Sequence, residues 1–340
     1  MNDSQITTKT LQPRKIPLGF LALAATAVLV MVVITPVDYR WSIFFHEHNW
    51  PIFSKFIGQT IFEGEGLGSG DPVIVFLLLS VTAYYLAWKK PPHKSLLAWR
   101  PQLGYIVASG LISGVFLVHS LKWIMGRARP YLVLSKEMPF SAWYEWGPHF
   151  VTEGIYRGSF PSGHTAQIFL LMTVAYILAA DPGHRVRWRV IGWLWGGFTV
   201  LISLAVGIAR CMTLSHWISD VLGIIFLSWL TLHILYFRIL RIPQQTQYYK
   251  IHGQYPATPQ IWELRLCGYL FFVFLGFTGA AMAVRSIFRG EALWLLLLGV
   301  LGIPLIIFCG RRIQKLYGNL TPVVAPADNS NARREKLGPK

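Results

Sequence analysis

Apolar runs of about twenty residues, separated by short polar stretches, organise the chain from end to end. A helix needs about 20 such residues to cross roughly 30 Å of hydrocarbon. Uncharged runs near that length occur at 17–36, 72–88, 102–121, 162–180, 190–208, 217–237, 266–284 and 292–310, so eight spanning helices are expected. The second run is short, and the fourth and sixth begin with polar residues. The first is long for the apolar part of a secretory signal, and Ile34, Thr35 and Pro36 offer no small-residue cleavage site, so it reads as an uncleaved anchor.

The polar stretches carry the bases in a regular way. Lys9, Arg14 and Lys15 precede the first run; Lys89, Lys90, Lys94 and Arg100 follow the second; Arg185, Arg187 and Arg189 follow the fourth. Arg238, Arg241 and Lys250 follow the sixth, and Arg311, Arg312 and Lys315 follow the eighth. With eight spans all these clusters fall on one side. The positive-inside rule makes that side the cytoplasm and places both termini there. Composition agrees: 54% of the 340 residues are hydrophobic and only 14% charged, where a soluble domain carries roughly 25%. The net charge of +16 is then a matter of topology, and nucleic acid is not an expected partner. Three scattered cysteines, Cys211, Cys267 and Cys309, form no CxxC pair and support neither a disulfide framework nor a zinc site.

The expected architecture is an all-α, polytopic membrane helix bundle. A cytoplasmic N-terminal tail (1–16) leads into a six-span core (17–237). A polar cytoplasmic linker (238–265), a C-terminal two-span hairpin (266–310) and a charged, disordered tail (311–340) follow. On the opposite side lie 37–71, with an amphipathic aromatic part (Trp41, Phe44, Phe45, Trp50, Phe53) and a glycine-rich run, Gly64 to Gly70. No Lys-Ser/Thr follows those glycines, so they read as a flexible turn and not a phosphate loop. The stretch 122–161 reads as an aromatic loop against the membrane surface, and 209–216 as a brief turn.

The polar residues that topology does not explain fall in these same non-cytoplasmic stretches. Lys122 and Arg129 lie just past the third run, with Arg127 and Pro130 beside them; Ser162, Gly163 and His164 open the fourth; Arg210, His216 and Asp220 bracket the start of the sixth. Ionisable groups at that depth are costly and point to function. Each suits a phosphate ester. Lys122, Arg129 and Arg210 neutralise a tetrahedral dianion, the guanidinium forks gripping two oxygens at once. Ser162 and Gly163 sit at a helix start, where backbone N–H groups favour an anion.

His216 and Asp220 are four apart and share a helical face. The carboxylate there holds Nδ1–H and leaves Nε2 to attack phosphorus, while His164 protonates the leaving oxygen. Fixed cations already stabilise the transferring oxygens, so neither metal nor cofactor is required. His46, His48, His119 and His149 fit no such pattern and read as interface or loop residues; Cys211 reads as a packing residue.

Three motifs in this order, Lys122 to Pro130 (KxxxxxxRP), Pro161 to His164 (PSGH) and Arg210 to Asp220 (RxxxxxHxxxD), resemble the signature of the type 2 phosphatidic acid phosphatase superfamily, which also includes the vanadium haloperoxidases. One departure is Ala209, where the family has Ser; it removes a hydroxyl from the phosphate shell but no charge. The resemblance covers roughly 17–237. It implies a phosphohistidine intermediate, with Lys122, Arg129, Ser162, Gly163 and Arg210 holding phosphate, His164 as acid, His216 as nucleophile and Asp220 as its orienter. The expected function is hydrolysis of a lipid phosphomonoester or diphosphate at the non-cytoplasmic face of a bacterial inner membrane. The family offers undecaprenyl diphosphate, phosphatidylglycerol phosphate and lipid A phosphate as substrates. The rivals are a lipid-to-lipid phosphotransferase using the same site, and a non-enzymatic membrane protein with a decayed site. Haloperoxidase activity fits poorly, since those proteins are typically soluble.

Overall fold

A computed structural model of the chain describes residues 18–58, 70–89, 94–154, 157–180, 184–253 and 261–318. The expected N-terminal tail, most of the glycine-rich turn and residues 319–340 of the expected disordered tail lie outside these; the first part of that tail, 311–318, is helical and continues the last span. All regular structure among the described residues is helical. Helix α1 (Leu18–Ile34) passes through a 3₁₀ turn at Thr35–Val37 into α2 (Asp38–Glu47), followed by α3 (Pro51–Gly58) and α4 (Asp71–Trp88). Then comes α5 (Arg100–Ser109), which runs through a π-helical stretch, Gly110–Leu117, into α6 (Val118–Met125). The short α7 (Pro130–Leu134) precedes α8 (Gly163–Phe169), α9 (Met172–Ala180), α10 (Val186–Met212) and α11 (Ile218–Ile234). The chain closes with α12 (Ile242–His252), α13 (Trp262–Arg289) and α14 (Leu296–Gly318).

Proline sits in the first turn of α4, α5 and α7, where its missing N–H would have no helical partner. Eight helical segments among the described residues are long and apolar enough to cross a membrane. Their outward faces are mostly apolar, as at Trp193, Leu194, Phe198 and Leu201 on α10 and Leu297, Val300 and Leu301 on α14. Such a surface is an aggregation liability in water and a lipid contact in a bilayer. The protein is a polytopic helical membrane protein.

The core joins Tyr105, Phe169, Met172, Ala175, Val221, Ile225, Leu232, Tyr236 and Trp262. Polar pairs stitch the helices within it, where hydrocarbon offers no other partner. Ser113 Oγ of the π stretch donates to Ser228 Oγ of α11 at 3.0 Å. Tyr84 Oη donates to Glu263 Oε2 at 2.8 Å, tying α4 to α13. Helices α13 and α14 meet closely at Gly276 and Gly302: a Cβ on Gly276 would stand 2.7 Å from the carbonyl oxygen of Gly302. Only small residues permit that approach.

Several boundaries differ from those read in the sequence, each for a physical reason. The third run was expected to end at 121, but α6 continues to Met125, because the Lys122 ammonium finds the Gly158 carbonyl at 3.0 Å and tolerates burial. The linker 238–265 contains α12, and α13 already begins at Trp262. The few apolar residues of α12 are enough, because Ile242 is fully buried and Thr246 Oγ1 accepts from Gln102 Nε2 at 2.9 Å. Arg100, counted among the cytoplasmic bases, is buried with its guanidinium 4.2 Å over the Trp88 ring.

The loop after α7 folds back onto the protein. Gly147 N donates to Met125 O at 2.7 Å and His149 N to Gly126 O at 3.1 Å, so the loop satisfies the open end of α6. His149 is therefore buried rather than a free loop residue, with Nδ1 2.7 Å from Glu153 Oε2. Burial alone would raise the Glu153 carboxyl; the hydrogen bonds from His149 and from the Phe150 N–H outweigh it and lower the pKa. His46, also set aside as an interface residue, anchors α2 by placing Nδ1 2.8 Å from the Met212 carbonyl at the end of α10.

Candidate active site

Three helix ends converge where the motifs lie. Helix α6 stops because Gly126 takes a left-handed conformation (φ 56°), its N–H closing on Lys122 O at 3.1 Å. The chain turns there, and Arg129 forms the extended entry to α7. Lys122 is therefore on the last turn of α6, buried, with Nζ donating to Gly158 O at 3.0 Å.

The second motif follows the buried Ser159 and Phe160 and a cis peptide at Pro161. Ser162 caps α8: its Oγ lies 2.9 Å from Thr165 Oγ1 and accepts from Thr165 N at 3.5 Å. Its own N–H donates to the Asp220 carbonyl at 3.2 Å, which fastens the second motif to the third. That backbone donor, expected to face an anion, is thus committed within the protein. Gly163 and His164 stay partly accessible at the helix start.

The third motif turns the chain between α10 and α11. Arg210 O accepts from Ser215 N at 3.0 Å and from His216 N at 3.3 Å, and Leu214 adopts φ 53° in the bend. His216 is buried at 2% exposure. Its pKa is held well below the usual histidine value, first by burial and then by the positive charges of Lys122, Arg129, Arg210 and His164. One imidazole therefore feels side chains from all three motifs, which the fold has brought together. In the resting site it is neutral at pH 7, with a lone pair available for attack.

Asp220 Oδ2 stands 3.5 Å from His216 Nδ1. That is within ion-pair reach and longer than a formed hydrogen bond; such contacts often tighten only when substrate binds. The carboxylate itself is held by other groups. Oδ2 accepts from Trp217 N at 2.9 Å, and Oδ1 accepts from Arg127 Nη1 at 2.7 Å.

Arg127 and Asp38 are the residues that sequence reasoning missed. The Arg127 guanidinium is fully buried. Nη2 donates to Asp38 Oδ2, Nη1 to Asp220 Oδ1 and to Ser219 Oγ, all at 2.7 Å, and Nε to Ser141 O at 2.8 Å. Asp38 Oδ1 also accepts from Ser219 N at 2.9 Å. Phe140 and Trp217 flank the cation at 5.4 and 5.3 Å. A signal was present: Arg127 has no more topological reason to lie there than Arg129. Asp38 was hidden among the polar residues after the first span.

Residues 102–242 match the family model described as the PAP2 superfamily. No curated protein and no solved structure matches the chain. The match and the apolar helices support a helical membrane phosphatase of general phosphoester type. The segment carrying the three motifs belongs to the type 2 phosphatidic acid phosphatase (PAP2) superfamily. It runs from α5 to the first residue of α12, so α1, α2 and the α13–α14 hairpin lie outside it.

Removing one partner of a buried, hydrogen-bonded ion pair leaves an uncompensated charge and costs about 3–5 kcal/mol. Arg127→Met, which strands two carboxylates, is expected to lose stability on that scale in detergent melting experiments, and Asp38→Asn less. A wild-type melting temperature for Arg127→Met would show that the network holds nothing together.

Proposed function

We propose that the protein hydrolyses a lipid phosphomonoester or diphosphate at the non-cytoplasmic face of the membrane, without a metal, through a phosphohistidine on His216. One observation carries this reading: a buried imidazole lies in the joint positive field of Lys122, Arg129, Arg210 and His164, with Asp220 on its Nδ1 side. A neutral imidazole among cations is of little use to a cationic or apolar substrate. It suits an anion that brings its own negative charge to the nucleophile.

In this mechanism Lys122, Arg129 and Arg210 take the non-bridging oxygens of the phosphoryl group, and Gly163 leaves room for them at the start of α8. His216 Nε2 attacks in line, forming an N–P bond as the P–O bond to the lipid breaks. His164 gives its proton to the departing oxygen. Water then attacks phosphorus and passes a proton to His164. The N–P bond breaks, the electron pair returns to His216, and inorganic phosphate leaves. Asp220 keeps Nδ1 protonated and stabilises the positive charge that the ring gains on attack.

Exposed bases support the face assignment. Arg185, Arg187 and Arg189 at the start of α10 and Arg311, Arg312 and Lys315 near the end of α14 lie at the helix ends away from the motifs. By the positive-inside rule those ends are cytoplasmic. A bacterial inner membrane is the setting that fits, with undecaprenyl diphosphate, phosphatidylglycerol phosphate and lipid A phosphate as candidate substrates.

Phosphate release from a panel of these three lipids in detergent tests the reading, and purified protein active on none of them overturns it. His216→Ala is expected to abolish release and the acid-labile phosphoenzyme together; persisting turnover would remove His216 from the nucleophile's place. The pH profile gives an independent check. Because the His216 pKa is lowered, its neutral form persists as pH falls. The acid limb of kcat/KM should therefore lie below the ordinary histidine value of about 6.5. An acid limb at or above that value contradicts the electrostatic account. EDTA should leave the rate unchanged, and loss restored by a divalent ion would point to metal chemistry.

A further inference from the structure

The hairpin of α13 and α14 lies outside the matched family segment, yet one of its side chains reaches the last turn of α6, which carries Lys122. Arg285, one turn before the end of α13, is fully buried. Its Nε donates to Glu291 Oε1 at 2.7 Å, and Nη1 donates to Ile124 O at 2.7 Å and more distantly to Trp123 O at 3.4 Å. Nη2 donates to the carbonyls of His149 and Gly147. Glu291 Oε2 in turn accepts from Val151 N at 3.0 Å.

The first two of these carbonyls belong to the last turn of α6, which has no helical donors of its own. A cation is well placed there, against the negative end of the helix. The other two lie on the loop that folds back over that turn. Arg285 therefore rivets two backbone segments together, and Glu291 holds the second of them again at Val151.

The fit is close. A Cβ on Gly126 would stand 2.5 Å from Arg285 Nη1 and 2.7 Å from His149 O. Around the rivet Val151, Met282 and Leu295 pack with Trp123 and Leu298, and Trp123 Nε1 donates to Val151 O at 3.0 Å. The riveted turn carries Lys122, and the chain that leaves it carries Arg127 and Arg129.

We infer that Arg285, with Glu291, is a positioning residue for this site, fixing from the C-terminal hairpin where Lys122 and Arg129 stand around the phosphoryl group. The inference rests on the phosphate reading of the site. It makes the hairpin a part of the enzyme's working geometry, where a purely structural hairpin would contribute only to stability.

The two roles separate experimentally in purified full-length protein in detergent, using orthovanadate as the probe of the phosphate cup and KM for the lipid phosphate beside it. Arg285→Lys keeps the charge but loses the fork. It is expected to weaken orthovanadate binding and raise KM by about tenfold or more, as loss of an outer-shell partner commonly does; Glu291→Gln should shift both in the same direction. Gly276→Ala, which crowds the two hairpin helices about nine residues away from Arg285, should lower the melting temperature and leave both constants alone. Should Arg285→Lys fail to fold, Glu291→Gln carries the same comparison. The inference is overturned if the folded Arg285 and Glu291 variants bind orthovanadate as wild type does, or if Gly276→Ala weakens binding equally. Wild-type protein that binds no orthovanadate would instead sink the phosphate reading, and this inference with it.

Discussion

The arrangement depends on a single guanidinium in the protein interior. Arg127 meets Asp38 from α2, Asp220 from α11 and the Ser141 carbonyl from the loop after α7, and so fixes three remote parts of the chain at one point. A buried ion pair is weak evidence of net stability, because desolvating the charges offsets most of their attraction. Its value lies in register. Arginine presents several donors in one rigid plane, and here each nitrogen has an acceptor, so a helix that slides or rotates loses more than one bond at once. Asp220 thereby has a defined position before His216 makes any use of it.

How much of this was legible in the sequence follows from the range over which each signal acts. Spanning helices announce themselves through runs of apolar residues, a local property, and eight such segments stand among the described residues. The motif residues were legible because their side chains have no topological reason to lie on that face. Asp38 and Arg285 were not, because each is explained only by partners far away in the chain; Arg127 stood out as a cation without a topological reason, but its partners are just as remote. Asp38 pairs with a residue 89 positions on, and Arg285 reaches back 161 positions to Ile124. Before folding, Asp38 is an ordinary polar residue after an anchor, and Arg285 and Glu291 are the polar joint of a short hairpin. The same reasoning explains α12. Its surface is mostly polar, and only the fully buried Ile242 and the Thr246–Gln102 bond reveal the face it packs with.

The segment that matches the superfamily is therefore not a self-sufficient site. The motifs supply the groups that would touch phosphate, but α2 completes the network that places Asp220, and α13 closes the end of α6. Both lie outside 102–242. Helices in lipid gain nothing from excluding water between their flanks, so their mutual positions rest on close packing and on polar contacts. The contacts that fix this site are of that second kind, and they cluster at the membrane face where the motifs lie.

On the proposed phosphate reading, the cations of the site also have an electrostatic reason to need such bracing. Cations drawn together to receive a dianion repel one another while the site is empty, and at low dielectric the repulsion is larger than in water. Left to themselves, the ends of α6, α8 and α10 would drift apart until substrate arrived, and binding would then have to spend part of its free energy on reassembly. Asp220, held by Arg127 and by the Trp217 N–H, sets a negative group behind His216. Arg285 holds the last turn of α6 by its carbonyls, at the same helix end that carries Lys122. One device offsets the repulsion with charge and the other resists it with geometry. Both act on groups that never touch the substrate, which leaves the cationic side chains to answer to the phosphoryl oxygens.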